Sequence, residues 1–395
     1  MVGLYCSDVS GAFDRVSHER LGDKLRRQGL HPGLLNFLQS WLEDRIAEVV
    51  VGGQSSGREP LCDSVFQGTV LGPPLWNTHY ADARKATDSL GFTETVFADD
   101  YNCFKRFAKG KLPQGLRCEI ELKGAQKELH LWGKANQVTF DPAKESFHLL
   151  HRRLYSDGEF KILGVLFDTQ LLMHSAARQV ATEAGWRLQQ LLKARRYFNT
   201  PELVHLYKAQ VLSYVESSTP GTYHAAPSVL DPVDRVQRRL LRELGLNELE
   251  GLLRYRLAPL PSRRDMSMLG VLHKVNLGLA PPQLAAFFPR LGEAHEPMGR
   301  QRVRGWQPLH DKQLGTPCDD YSTDTLARSL FGLARCYNQL PQRVVDRPTV
   351  KAFQRCLQEA LKVYGSAPGA PENWPRLYTE GWRRASRRDF HRLFA

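Results

Sequence analysis

Long apolar runs are missing: nowhere in the 395 residues does one approach the roughly 18 that a membrane span requires. The opening residues, Met1 to Asp14, lack a basic stretch followed by an apolar one, so no secretion signal is read there. Cysteine is sparse and odd in number, seven in all, with no pair spaced Cys-x2-Cys. That argues against a disulfide scaffold, a zinc knuckle or an iron–sulfur site. No repeat recurs at a period of about 20–50 residues, which makes a solenoid an unsuitable reading. The expected setting is intracellular and reducing, nucleus or cytoplasm, without a membrane partner.

What is present is a globular composition, 42% hydrophobic and 24% charged, which excludes a wholly disordered, collagenous or coiled-coil chain. Lys and Arg number 54 against 42 Asp and Glu, a net charge of +12 that suits an anionic partner or simply a basic soluble protein. At roughly 100–200 residues per domain, the length allows two or three domains.

Residues 1–168 mix short β-rich runs with amphipathic segments and read as α+β. Val2 to Cys6 alternates like a strand, and Leu34, Leu35, Phe37, Leu38, Trp41 and Leu42 recur at helical spacing. Glu48 to Val51, before Gly52-Gly53, reads as a strand entering a turn. Phe147 to Leu154 and Phe160 to Phe167 read as a β-hairpin turning at Ser156-Asp-Gly158. From about residue 170 the period becomes helical. Thr200-Pro201-Glu202 reads as an N-cap, a first-position Pro and a first-turn acid. Ser217 to Pro232, with three Pro and a Gly, reads as a loop, followed by helices at Val233 to Leu244 and Met266 to Leu279. Further loops are expected near 292–322 and 365–375.

Three segments carry unusual chemistry. Asp8 ends an apparent strand and is followed by Val-Ser-Gly-Ala-Phe13-Asp14; alone, such an Asp is as readily a turn former. Phe66-Gln67-Gly68-Thr-Val-Leu-Gly72-Pro73-Pro74-Leu-Trp76 is a Gly/Pro loop leading into an apolar, helical segment. In Thr95-Val-Phe97-Ala98-Asp99-Asp100-Tyr101, two adjacent carboxylates interrupt a β-prone run. Crowding two like charges is costly unless a cation joins them, so a divalent metal is a natural explanation. Adjacency alone does not decide this, since Asp319-Asp320 is also a pair but lies in a stretch of Pro, Thr and Ser.

In order and spacing these segments resemble the reverse transcriptases of non-LTR retrotransposons. The resemblance continues through Leu131-Trp132 to Asn136, Phe140 to Lys144, and Phe160 to Val165, and so covers about residues 2–168. It implies a right-hand polymerase palm, an antiparallel sheet with helices, at 1–168. A helical thumb is expected at about 169–260 and a mainly helical region of unassigned role at 261–395.

The resemblance also implies RNA-directed DNA synthesis from a DNA primer on an RNA template with dNTPs. Asp8, Asp99 and Asp100 would hold two Mg2+ ions, with Mn2+ as a substitute, in two-metal phosphoryl transfer. Phe13 would be the steric gate against a 2′-hydroxyl, or else a core aromatic. Gln67 and Gly68 would line the nascent base pair. Lys144 would protonate the leaving pyrophosphate, or else be a solvated lysine. Leu163 and Gly164 would form the primer grip, or else a strand and its bend.

The pattern has departures. Ser64 and Phe66 stand where relatives carry Gly and Pro, and only seven residues precede Asp8, so the expectation is an element truncated before its first palm motif, without fingers. One rival reading is therefore a catalytically inactive nucleic-acid-binding remnant. Another is an RNA-dependent RNA polymerase, against which Phe13 and Ala98 speak. The tail Trp382 to Arg392 interleaves arginines with Trp382 and Phe390 and suits single-stranded nucleic acid or a solvated helix.

Overall fold

The Val2 run extends two residues further than its alternation suggests, and strand β1 (Val2–Asp8) is the second-from-edge strand of a four-stranded antiparallel sheet. Its neighbours are β2 (Thr93–Phe97), β3 (Asp100–Arg106) and β4 (Ser146–Leu150), in the order β2-β3-β1-β4. In this computed structural model, residues 1–108, 113–151, 158–291, 310–316 and 324–395 are described. The sheet has helices α1 (His18–Arg27), α2 (Pro32–Leu42), α3 (Gly72–Tyr80) and α4 (Gln114–Asn136) as companions. Together they are the α+β architecture that the motifs imply.

One core joins these elements: Tyr5 from β1, Leu21 from α1, Leu38 from α2, Trp76 from α3, Tyr101 from β3, and Leu122 and Leu129 from α4 are all buried in it. Each of these four leucines contributes about 1.5–3 kcal/mol by leaving water. Helix α4 lies so close to β1 that a Cβ on Gly3 would collide with Cys118 Sγ. Glycine is therefore required at position 3 by the approach of the helix rather than by a turn.

The chain divides by its internal contacts into two units, Met1–Gly164 with Asp168–Leu171, and Val165–Phe167 with Leu172–Ala395. The second is chiefly helical: α5 (His174–Lys193), α6 (Thr200–Tyr207), α7 (Pro227–Glu243), α8 (Leu260–Asn276), α9 (Leu330–Tyr337) and α10 (Val350–Gly365) are its longer helices among the described residues. It has two apolar cores. Leu188, Tyr207, Val211 and Leu240 belong to the first, and Leu269, Tyr337, Phe353 and Leu361 to the second.

Several local expectations need correction. Ser146–Leu150 pairs with β1, Tyr5 opposite Phe147, rather than forming a hairpin with the Phe160 segment. The Phe160–Phe167 run is itself broken, because Leu163 (φ 48°) and Gly164 (φ 79°) take the left-handed pair of angles of a two-residue primed turn. Ser156 and Asp157 lie outside the described residues, as do Asp319 and Asp320 and most of the 292–322 stretch. The cap of α6 is Asn199, whose side chain accepts from Glu202 N–H while the Glu202 carboxylate accepts from Asn199 N–H. The supposed 217–232 loop contains the start of α7, with Pro227 in its first turn and Pro232 inside it. A Pro at a helix start is tolerated because the N–H it lacks has no partner there in any case.

Candidate active site

Antiparallel pairing puts the acids together. The register of β1 on β3 sets Asp8 opposite Asp100, and the hairpin from β2 to β3 turns through Ala98 and Asp99, since Phe97 pairs with Asp100. Two strand ends and a tight turn thus deliver three carboxylates from positions 8, 99 and 100. Ala98 has φ 54°, a left-handed conformation that costs an L-residue roughly 1–2 kcal/mol. It is held by Trp76, whose indole N–H donates to Ala98 O at 2.9 Å.

The acids affect each other. Partial burial raises the Asp100 carboxyl above its ordinary value, the charges of Asp8 and Asp99 raise it further, and Lys144 opposes them. Buried Tyr80 also senses the cluster: burial first, then Tyr101, then Asp99, Asp8 and Asp100 push its hydroxyl well up. All three acids therefore act on one locality. Among the described residues, no three His, Cys, Asp or Glu side chains are drawn into a ready metal cage. The acids form an open set of oxygen donors, which suits Mg2+ because that ion keeps waters and substrate phosphates in its shell.

Lys144 arrives from a loop stitched to the end of β1. Val9 bridges to Phe140, Ser10 N–H donates to Thr139 O at 2.8 Å, and Asp141 N–H donates to Asp8 O at 3.0 Å. The loop then turns on Asp141, whose carboxylate accepts from Ala143 N–H, and Lys144 Nζ pairs with Asp8 Oδ2. That hydrogen bond raises the ammonium pKa above its ordinary value. The lysine is 60% exposed and so remains reachable.

Phe13 is half-buried and stacks on Trp76 with ring centroids 5.9 Å apart, and its carbonyl accepts from Val65 N–H at 2.8 Å. Trp76 stacks in turn on Tyr80 at 5.0 Å. One indole thus touches both Phe13 and the turn that carries Asp99. Gln67 and Gly68 are exposed on the loop before α3, with Gly68 at φ 82°. Leu163 and Gly164 form the exposed turn already described, and among the described residues no hydrogen bond joins them to the acids.

Residues 3–167 match the family described as reverse transcriptase (RNA-dependent DNA polymerase). The chain is similar to the RNA-directed DNA polymerase from mobile element jockey of Drosophila funebris, 27% identical over 274 residues, which is 60% of this chain and 28% of that protein. It is 34% identical over 103 residues to the Pol polyprotein of the type-1 retrotransposable element R2 of Popillia japonica, covering 24% of this chain and 17% of that one. A third relative is the probable RNA-directed DNA polymerase from transposon BS of Drosophila melanogaster, 27% identical over 207 residues, covering 47% and 23% respectively.

Residues 3–167 thus match a reverse transcriptase domain, and the relatives named above are polymerases of mobile elements. Asp8, Phe13, Gln67, Gly68, Asp99, Asp100, Lys144, Leu163 and Gly164 all lie within that match. The chain spans about a quarter of the length of the curated relatives it matches.

Sequence reasoning gave no role to Trp76, although its motif position could have drawn attention to it, and none to Glu145. Tyr5 O–H donates to the Glu145 carboxylate, as do Ser7 Oγ at 3.3 Å and Gln126 Nε2 at 2.8 Å, and His130 Nε2 stands 2.6 Å from it. The basic tail is less suited to stacking than its sequence suggests, because Phe390 is 2% exposed and packs in the second core. Trp382 lies under the Arg383 guanidinium, 5.4 Å from ring centre. No helix among the described residues is long and apolar enough to cross a membrane.

Proposed function

We propose that this chain extends a DNA primer on an RNA template with dNTPs. The observation that carries the reading is the strand register that sets Asp8 opposite Asp100 with Asp99 in the adjoining turn. Asp8, Asp99 and Asp100 would hold two Mg2+, or Mn2+ in their place, and the ions would supply activation of the primer hydroxyl and neutralisation of the triphosphate. Residues 1–168 would serve as palm, 169–260 as thumb, and 261–395 as a helical region of separate role.

The remaining residues divide the work. In each addition the primer 3′-hydroxyl gives its proton to water as its oxygen bonds to the α-phosphorus, the bond from that phosphorus to the bridging oxygen breaks, and pyrophosphate leaves. Lys144 gives its ammonium proton to that leaving group and regains one from water. Phe13, fixed by its stack on Trp76, crowds the position of a 2′-hydroxyl and so selects deoxynucleotides. Gln67 and Gly68 line the nascent base pair, where glycine lets the backbone come close. Leu163 and Gly164 hold the primer.

The test is primer extension on a primed RNA template with dNTPs, in Mg2+ and separately in Mn2+. Extension by the wild-type chain that vanishes in Asp99→Ala, Asp100→Ala is expected. Absence of extension with both metals overturns the reading, and preferential incorporation of ribonucleotides overturns the substrate assignment.

A further inference from the structure

Lys144 and Glu145 are adjacent at the entry to β4, yet they serve opposite faces of the sheet. Along β1 successive side chains alternate sides. Lys144 reaches Asp8, whereas Glu145 reaches Tyr5 and Ser7, the strand positions of opposite parity. On that second face α4 supplies Gln126 and His130, so three donors and the imidazole converge on one carboxylate. The Glu145 side chain is 7% exposed. Burial alone works to raise its pKa, but the hydrogen bonds from His130, Tyr5 and Gln126 more than offset this and hold the carboxyl below its ordinary value. A buried carboxylate so fully hydrogen-bonded is a rigid anchor, because moving it would leave both the charge and its donors unpaired.

The backbone around it has little else to fix it. Between Asp141, tied to Asp8 O, and Ser146, paired with Cys6, the loop's own bonds are the local ones from Ala143, Lys144 and Glu145 back to Asp141. Lys144 is mostly exposed, and a single surface ion pair is too strongly screened by solvent to hold a long flexible side chain in one place. We propose that Glu145 is the positioning residue of this site: clamped on the helix-covered face, it fixes the backbone from which Lys144 meets the substrate on the other face. Glu145 touches no substrate and acts only through Lys144. The inference rests on the polymerase reading above for the part Lys144 plays, but the anchoring itself does not.

The test combines single-turnover incorporation with amide hydrogen exchange in the full chain. Lys144→Ala should lower the maximal incorporation rate by about 10²–10⁴-fold, as loss of a general acid does. Glu145→Ala should lower that rate by about ten- to a hundredfold, the range expected of a misplaced catalytic group, with the dNTP KM little changed. In the Lys144→Ala background, Glu145→Ala should cost nothing further, since it has nothing left to position. Glu145→Gln, which keeps the shape, should show the same non-additivity if the alanine variant folds poorly.

In hydrogen exchange, the amides of Asp141, Ala143, Lys144 and Glu145 should lose protection in the Glu145 variants while those of β1 and β3 keep theirs. Additive losses in the double variant, or unchanged protection of the Asp141, Ala143, Lys144 and Glu145 amides, overturn the proposal. If the wild-type chain extends no primer, the polymerase reading falls, and the exchange measurement alone decides whether Glu145 anchors the loop.

Discussion

The two units handle their aspartates in opposite ways. In the first, Asp8, Asp99 and Asp100 are brought to strand ends and left partly open, with one exposed lysine as their cation. In the second, Asp265 on α8 is sealed at 4% exposure: one carboxyl oxygen accepts from Tyr223 O–H at 2.9 Å and the other has no hydrogen-bond partner among the described residues. Beside it Arg264 forms a two-pronged bond to Asp234 at 2.6 and 3.0 Å. Burial pushes the Asp265 carboxyl up to about 7, against the opposing effects of Tyr223, Arg264 and Arg376. An acid kept for chemistry is crowded by like charge yet reachable by a cation, whereas a structural acid is buried, bonded and neutralised by its surroundings.

The comparison can be broken most sharply at Asp100. Asp100→Asn removes a charge from the open cluster, so primer extension should fall by roughly 10²–10³-fold or more while thermal unfolding stays where it was. Asp265→Asn should do the reverse. The folded-state pKa of Asp265 lies above the unfolded one, so its contribution to stability is complete below about pH 4 and is lost as pH rises through about 7. The amide variant should abolish that decline, with urea midpoints at pH 5 and pH 8 closer together than in wild type, and should extend primers normally.

Smaller effects sharpen the account within the first unit. Gly3→Ala forces a methyl onto Cys118 Sγ and should cost about 1–3 kcal/mol in denaturant unfolding, with much of it recovered by adding Cys118→Ala. Trp76→Phe keeps the ring stacked on Phe13 and Tyr80 but deletes the N–H that holds Ala98 O. A loss of about 0.5–1.5 kcal/mol is expected, together with a fall in incorporation rate larger than any change in dNTP KM. Ala98→Gly relieves the left-handed strain at some entropic cost and should shift stability by no more than about 1 kcal/mol, upward if the strain is the larger.

The acids were legible from sequence because their motif order tests itself, and the register that unites them follows from two short β-runs. Helix α4 was not legible. Its buried stripe is Cys118, Leu122, Ala125, Leu129 and Gly133, so only two of five inward positions are strongly apolar and the helical period is faint. The small residues are there because the helix packs tightly, at Gly3 on one end and at Gly133, which lies close to Val138 O and Phe140, on the other. The partner of β4 was misread because the Phe147 segment and the Phe160 segment are neighbours in sequence, whereas its real partner, β1, is some 140 residues away. Glu145 was invisible for the same reason: Tyr5 and Ser7, which explain it, come from the far end of the domain, and Gln126 and His130 from the helix that was missed.

Mn2+ binding, followed by electron paramagnetic resonance with primed template and dNTP present, compares the two kinds of aspartate most directly. Wild type and Asp265→Asn should bind the ion alike, and Asp99→Asn, Asp100→Asn should lose most of that binding. Undiminished binding by the Asp99→Asn, Asp100→Asn chain would contradict the account.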